Sequence, residues 1–143
     1  MTTTLSAAEL AERYQRGWSD HDGDAVAACF ADDGTYVDPS LPGPLPRTAI
    51  AGYVNGLVSA FPDLVLTVED QVSEGSRVYF SWRLQGTNSG VLPGLPAPTQ
   101  RRCDVPGVDL IEVGPDGITR VVGYFDQKGF FEQLGLRVDV VPG

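Results

Sequence analysis

The sequence predicts an α+β fold, a cone-shaped, curved antiparallel sheet with three N-terminal helices on its concave face and a short closing C-terminal helix. Three observations point there. Residues up to Phe61 carry helical spacing around one short strand, whereas from Leu64 the pattern alternates with the period of long strands. The 143 residues contain no repeat, linker or low-complexity tail, so residues 1–143 read as one domain. A cone of that kind leaves a pocket between helices and sheet.

Each element follows from its local residues. In "LSAAEL", Ser6 is placed as an N-cap and Glu9 as its capping-box partner, with Leu5 and Leu10 forming a hydrophobic staple. Leu10, Tyr14, Gly17 and Trp18 then share one helical face. "SDHDGD" breaks the chain before a second helix over Ala25 to Ala31. "TYVDP" is a short strand stopped by Pro39, and the loop "SLPGPLP" leads to a third helix from about Arg47 to Phe61. "LVLTVEDQV" and "RVYFSWRLQG" are long strands joined at "SEGS", followed by the Gly/Pro loop "TNSGVLPGLPAPT". "RRCDVPGVDLIEV" is another, with Pro106-Gly107 marking a bulge. "GPDG" turns into "ITRVVGYF", and Gln127 to Leu134 closes the chain as a helix stopped by Gly135.

Composition narrows the chemistry. Ten basic against 19 acidic residues give a net charge of −9, which repels phosphate backbones and argues against nucleic acid. Anionic substrates are poorly steered to such a surface, and neutral, largely apolar ligands fit better. No apolar run approaches the roughly 20 residues of a membrane span. "MTTTLSAAEL" lacks the basic and apolar regions of a signal peptide, so a cytoplasmic location is expected. Two cysteines, Cys29 and Cys103, do not make a disulfide framework. His21 is the single histidine, which argues against His/Cys zinc sites and His-based triads. Carboxylates, tyrosines and backbone remain.

The last hairpin can be registered from its turn. If Val113 pairs with Ile118, Asp109 faces Val122, and Asp109, Ile111 and Val113 share a face with Ile118, Val122, Tyr124 and Asp126. Val78, Phe80, Trp82 and Leu84 form the inward set of the neighbouring strand. Two carboxylates on an apolar face raise one another's pKa and suit general acid/base work near neutral pH. Plainer roles stand beside this one. Asp126 is also placed to cap the closing helix, Asp109 to sit at a wet edge beside Pro106-Gly107, Asp38 to serve a turn and Tyr14 to fill core.

These residues resemble the SnoaL-like polyketide cyclases, in the superfamily that includes nuclear transport factor 2 and ketosteroid isomerase (the NTF2-like fold). "CFADDGTYVDP", "AFPDL", "GTNSGVLPGLPAPTQRR" and "DGITRVVGYFDQKGFFEQLG" carry the likeness in order along nearly the whole chain. The resemblance implies intramolecular aldol ring closure without cofactor or metal, as in antibiotic biosynthesis, with Asp126 as the acid/base. Two assisting histidines of the cyclases fall at Asp109 and Asn88. "RYQRGWSDHDGDAVAACFADDGTYVDP" is similar to ketosteroid isomerase, which places its oxyanion tyrosine on Tyr14, its base on Asp38 and its protonated aspartate on Asp109. Limonene-epoxide hydrolase shares the YFD ending, but its partner arginine and aspartate fall on Trp82 and Leu84.

The resulting expectation is a cofactor-independent acid/base enzyme acting at carbon next to a carbonyl. Asp126, Asp109, Asp38 and Tyr14 are its catalytic candidates. Trp18, Phe80, Trp82, Leu84, Asn88, Val122 and Tyr124 are its candidates for binding a neutral, hydrophobic, polyketide-like or steroid-like substrate. The alternatives are an isomerase using Tyr14, Asp38 and Asp109, an epoxide hydrolase, or a non-catalytic binding module on the same fold. A homodimer is expected through an apolar convex sheet face bearing Tyr79 and Val121.

Overall fold

The computed structural model describes residues 5–143, so the first four residues of the single-domain reading lie outside it. The elements are α1 (Ala7–Ser19), α2 (Gly23–Ala28), β1 (Phe30–Val37), β2 (Leu45–Pro46), α3 (Arg47–Ala60), β3 (Val65–Glu74), β4 (Arg77–Thr87), β5 (Arg102–Gly114), β6 (Gly117–Phe125) and α4 (Gln127–Gln133). Six strands form one curved, open sheet in the order β2-β1-β6-β5-β4-β3. Its pairs are antiparallel except β1 with β6, which run parallel. No helix among the described residues is long and apolar enough to cross a membrane.

The capping box at the start of α1 is complete: Ser6 Oγ accepts from the Glu9 amide at 3.1 Å, and the Ser6 amide donates to Glu9 Oε1 at 3.3 Å. The predicted face of Leu10, Tyr14, Gly17 and Trp18 is buried. Gly17 lets α1 approach α2, since a Cβ there would stand 2.8 Å from Val26 Cγ2. Tyr14, Trp18, Ile50 and Val54 pack against Val78, Phe80, Ile111 and Val121 of the sheet. Each such side chain contributes roughly 1.5–3 kcal/mol by leaving water. A second cluster, around Phe61, Leu64, Val105 and Leu134, seats α4 across the far end. The second helix ends sooner than expected, at Ala28, because Asp22 caps it early and β1 begins at Phe30.

The hairpin of β5 and β6 departs from the expected register in one decisive way. Val113 does pair with Ile118, but a bulge between Glu112 and Val113 then places Ile111 opposite Val121 and Asp109 opposite Gly123. A shift of one residue exchanges the faces of a strand. Val121 therefore lies buried under the helices rather than on the convex face. Val122 and Tyr124 turn away from Asp109, and Tyr124 is 63% exposed. The bulge expected at Pro106-Gly107 does not occur: β4 and β5 pair without interruption from Arg77↔Glu112 to Thr87↔Arg102. Gly107 serves packing instead, because the Trp82 ring lies where its side chain would be.

Candidate functional site

A cavity of about 390 Å³ opens between α3, the concave sheet, α4 and the loop carrying Leu92 and Pro93. Its walls are mostly aromatic and aliphatic, including Trp18, Tyr53, Trp82, Leu84, Phe125 and Phe130. Asp38 is the one charged side chain among its lining residues.

Asp38 is delivered by the alternation of β1. Tyr36 stands beside Val121 on the concave face, so Asp38, two residues on, reaches the same side as the strand ends at Pro39. It is only 5% exposed, yet its carboxylate is well supplied with donors. Oδ1 accepts from the Ser40 amide at 2.7 Å and from the Ser40 hydroxyl; Oδ2 accepts from the Tyr36 hydroxyl at 2.8 Å and from the Tyr53 hydroxyl. Burial pushes Tyr36 well above the ordinary tyrosine range. Burial, and then the charge of Asp38, do the same to Tyr53. Both phenols stay protonated and donate, so the buried Asp38 carboxyl has hydrogen-bond partners in an apolar wall.

Asp109 is the opposite case. It sits on β5 between Phe80 of β4 and Gly123 of β6, and is 7% exposed. Trp82 Nε1 donates to its Oδ1 at 2.9 Å, and the Tyr14 hydroxyl makes a long contact with its Oδ2 at 3.5 Å. Burial raises its pKa to about 7; the Trp82 bond opposes this and the charge of Asp38 adds to it. Tyr14 is pushed well above its usual range, first by burial and then by Asp109. Asp109 and Tyr14 lie one layer behind the cavity wall, which Trp82 and Gly123 form. Gly123 is where that wall is thinnest in front of Asp109. A Cβ there would stand 2.9 Å from Asp109 Oδ1, 3.6 Å from Asp38 Cβ and 3.7 Å from the Tyr36 hydroxyl. The missing side chain lets Asp109 pack directly against β6, with Asp38 and the Tyr36 phenol around the same point.

The other predicted residues are placed as follows. Asp126 does not enter the cavity: it is exposed at the N-cap of α4, where Oδ1 accepts from the Gly129 amide at 2.9 Å. The capping role wins because β6 ends at Phe125 and the next residue must satisfy the free amides of the helix. Val122 and Tyr124 face away from the cavity for the register reason given above. Asn88 is fully buried but ties a loop together, donating to the Ala60 and Gly90 carbonyls and accepting from the Thr99 amide and hydroxyl. Phe80 is packed edge-on beneath Tyr14, outside the lining. Trp18, Trp82 and Leu84 do line the cavity.

Tyr36, Tyr53 and Ser40 were missed. Tyr36 was legible, since it stands two residues before Asp38 on a strand and must share its face. Tyr53 and Ser40 carried no local signal, because the Pro/Gly loop between Ser40 and α3 hides their approach to 3.1 Å. A larger groove of about 650 Å³ lies between α1, α2 and the Gly114–Gly117 turn, but its charged residues, such as Arg13, Arg16 and Asp116, are exposed and no buried carboxylate lines it. Among the described residues no group of three or more His, Cys, Asp or Glu stands close enough to hold a metal ion.

Comparison with known proteins agrees with this architecture. The family model for the SnoaL-like polyketide cyclases matches residues 8–134. A SnoaL-like candidate polyketide cyclase from Jannaschia sp. CCS1 superposes with a TM-score of 0.80 at 19% identity, covering 96% of this chain and 99% of that one. IdmH, a candidate polyketide cyclase from Streptomyces antibioticus, gives 0.77 at 21% identity, over 92% and 100%. A protein of ketosteroid isomerase-like fold from Catenulispora acidiphila gives 0.75 at 23% identity, over 98% and 100%. At such identities these structures establish the fold alone. No curated protein matches the chain.

Proposed function

The chain belongs to the SnoaL-like polyketide cyclase family, and from that premise we propose that it is an acid/base enzyme needing no cofactor. It removes a proton from carbon next to a carbonyl of a small, largely apolar, polyketide-like substrate. The observation that carries this reading is the buried Asp38 carboxyl lining an otherwise apolar cavity, with the buried Asp109 close behind Gly123 of the same wall.

Asp38 is the base: the C–H bond breaks, the proton passes to its carboxylate, and the electron pair enters the carbonyl as an enolate. Asp109, protonated up to about pH 7, comes forward past Gly123 when substrate is seated and donates a hydrogen bond to the oxygen on which that charge develops. Tyr14 and Trp82 hold Asp109 in place. In ring closure the enolate carbon then bonds to a second carbonyl carbon of the same substrate, whose oxygen takes up a proton. Return of the proton to a different carbon would instead be isomerisation. Asp126 has no part in either.

Assembly is part of the proposal. The convex face exposes Val72, Tyr79, Val108 and Tyr124 on neighbouring strands, an apolar patch suited to a second copy of the chain.

The activity is tested with 2-tetralone in D2O, following loss of the proton signal next to the carbonyl. Wild-type protein is expected to accelerate exchange at least 10²-fold over buffer, within the usual range for general acid/base catalysis. Exchange no faster than in buffer would overturn the enzyme reading and leave a binding module.

A further inference from the structure

Helix α3 carries two glycines in its interior, Gly52 and Gly56, where glycine destabilises a helix relative to alanine. Its start is also weak, with Pro46 at the N-cap and no side-chain capping bond. Packing explains the glycines elsewhere among the helices. A Cβ on Gly17 would meet Val26 at 2.8 Å, and one on Gly23 would meet the Ala51 carbonyl at 2.6 Å. For Gly52 and Gly56 no such reason exists: a Cβ at either would have nothing within 4 Å. Neither has a positive φ that would demand glycine. One turn apart, they lie on the same face, and both line the cavity beside Tyr53 and Leu57. Across that cavity stand Phe130, Phe131 and the loop residues Leu92 and Pro93. The buried Asp38 carboxylate, held by Tyr53 of the same helix, closes its inner end.

We propose that Gly52 and Gly56 determine the size of the substrate, by leaving bare helix backbone against which a flat, fused-ring ligand lies as it extends from Asp38 to the cavity mouth. The aromatic rings opposite supply the second wall, so the cavity is a slot matched to planar molecules. A one-ring ligand needs only the inner end, and a three-ring ligand needs the strip over the glycines. This rests on the cavity being the ligand site of the proposed reaction, but not on which residue moves the proton.

The test uses phenol, 2-naphthol and 2-phenanthrol as neutral probes of one, two and three rings, titrated calorimetrically into wild-type protein and the G52A/G56A variant. The variant is expected to bind 2-phenanthrol about tenfold or more weakly, because methyl groups intrude on a packed interface. Phenol binding should change less than twofold. The same variant should melt several degrees higher, since alanine favours the helix. Stability rising while large-ligand affinity falls is a pattern that mere misfolding does not produce. Unchanged 2-phenanthrol affinity, an equal loss for phenol, a lowered melting temperature, or no binding of 2-phenanthrol to wild type would each overturn the proposal. Exchange of 2-tetralone in the variant separates the two readings: if it persists, only the size assignment has failed, and if wild type also lacks it, the proposed reaction has failed.

Discussion

Two neighbouring strands of this sheet end in the same pattern, tyrosine, an apolar residue and aspartate. On β1 it is Tyr36-Val37-Asp38, and on β6 it is Tyr124-Phe125-Asp126. The strands run parallel and are paired, yet the two patterns do opposite things. Tyr36 is 8% exposed and donates to a buried Asp38, whereas Tyr124 faces solvent and Asp126 caps a helix. Parity makes the difference. Tyr36 lies beside Val121, so Tyr124, three residues beyond Val121, points to the other face. A carboxylate at a strand end is therefore neither catalytic nor structural by its residue type; the register of its strand decides.

Replacing the two aspartates alike gives the largest expected contrast. Asp38→Asn should lower the rate of 2-tetralone exchange by about 10²–10⁴-fold, because the amide cannot take the proton. Asp126→Asn should leave it within about twofold and leave the melting temperature nearly unchanged, since asparagine is as good an N-cap. A larger loss at Asp126 than at Asp38 would return the catalytic role to the β6 end.

A smaller effect, about 10-fold or more, is expected for Asp109→Asn, along with a changed pH profile. In wild type the exchange rate should fall as pH rises through about 7, where Asp109 loses the proton it donates. The variant should lack that fall, and an identical profile in both proteins would remove Asp109 from the mechanism. Stability shifts in the same direction. Burial raises the folded-state pKa to about 7, above the ordinary value near 4, so the protonated form favours the fold. That contribution, on the order of 4 kcal/mol, is complete below about pH 4 and gone once pH has risen past about 7. Denaturant titrations at pH 4.5 and 8 should show the loss in wild type and not in Asp109→Asn.

The smallest effect on turnover is expected at the outward tyrosine. Light scattering of wild type should give twice the 15.3 kDa chain mass. Tyr124→Glu should return it to the single mass while changing exchange by less than about twofold. A wild-type mass of 15.3 kDa at micromolar concentration would end the dimer proposal.

Much of this was readable in advance, for identifiable reasons. Asp109 could be placed inward because Val78, Phe80 and Trp82 alternate on the adjoining strand, and that pairing runs without a bulge. The β6 side of the same hairpin misled, because one bulge at Glu112/Val113 leaves no mark in a run of apolar residues that tolerates either face. Asn88 misled for another reason: its four hydrogen-bond partners are supplied by Ala60, Gly90 and Thr99, which only the folded loop assembles.

By itself the sequence determined whatever depends on neighbours along the chain: the capping box at Ser6 and Glu9, the helical stripe bearing Tyr14 and Trp18, the long alternating strands, and the presence of carboxylates without basic partners. Tertiary structure alone decided which aspartate faces the cavity. It brought Tyr53 of α3 onto Asp38 at the end of β1, set Asp109 tightly against Gly123, and raised the pKa of Asp109 chiefly by burying it. The physical reason is that side-chain period is a local property, whereas parity between strands, desolvation and the approach of distant hydroxyls are set by how whole elements pack.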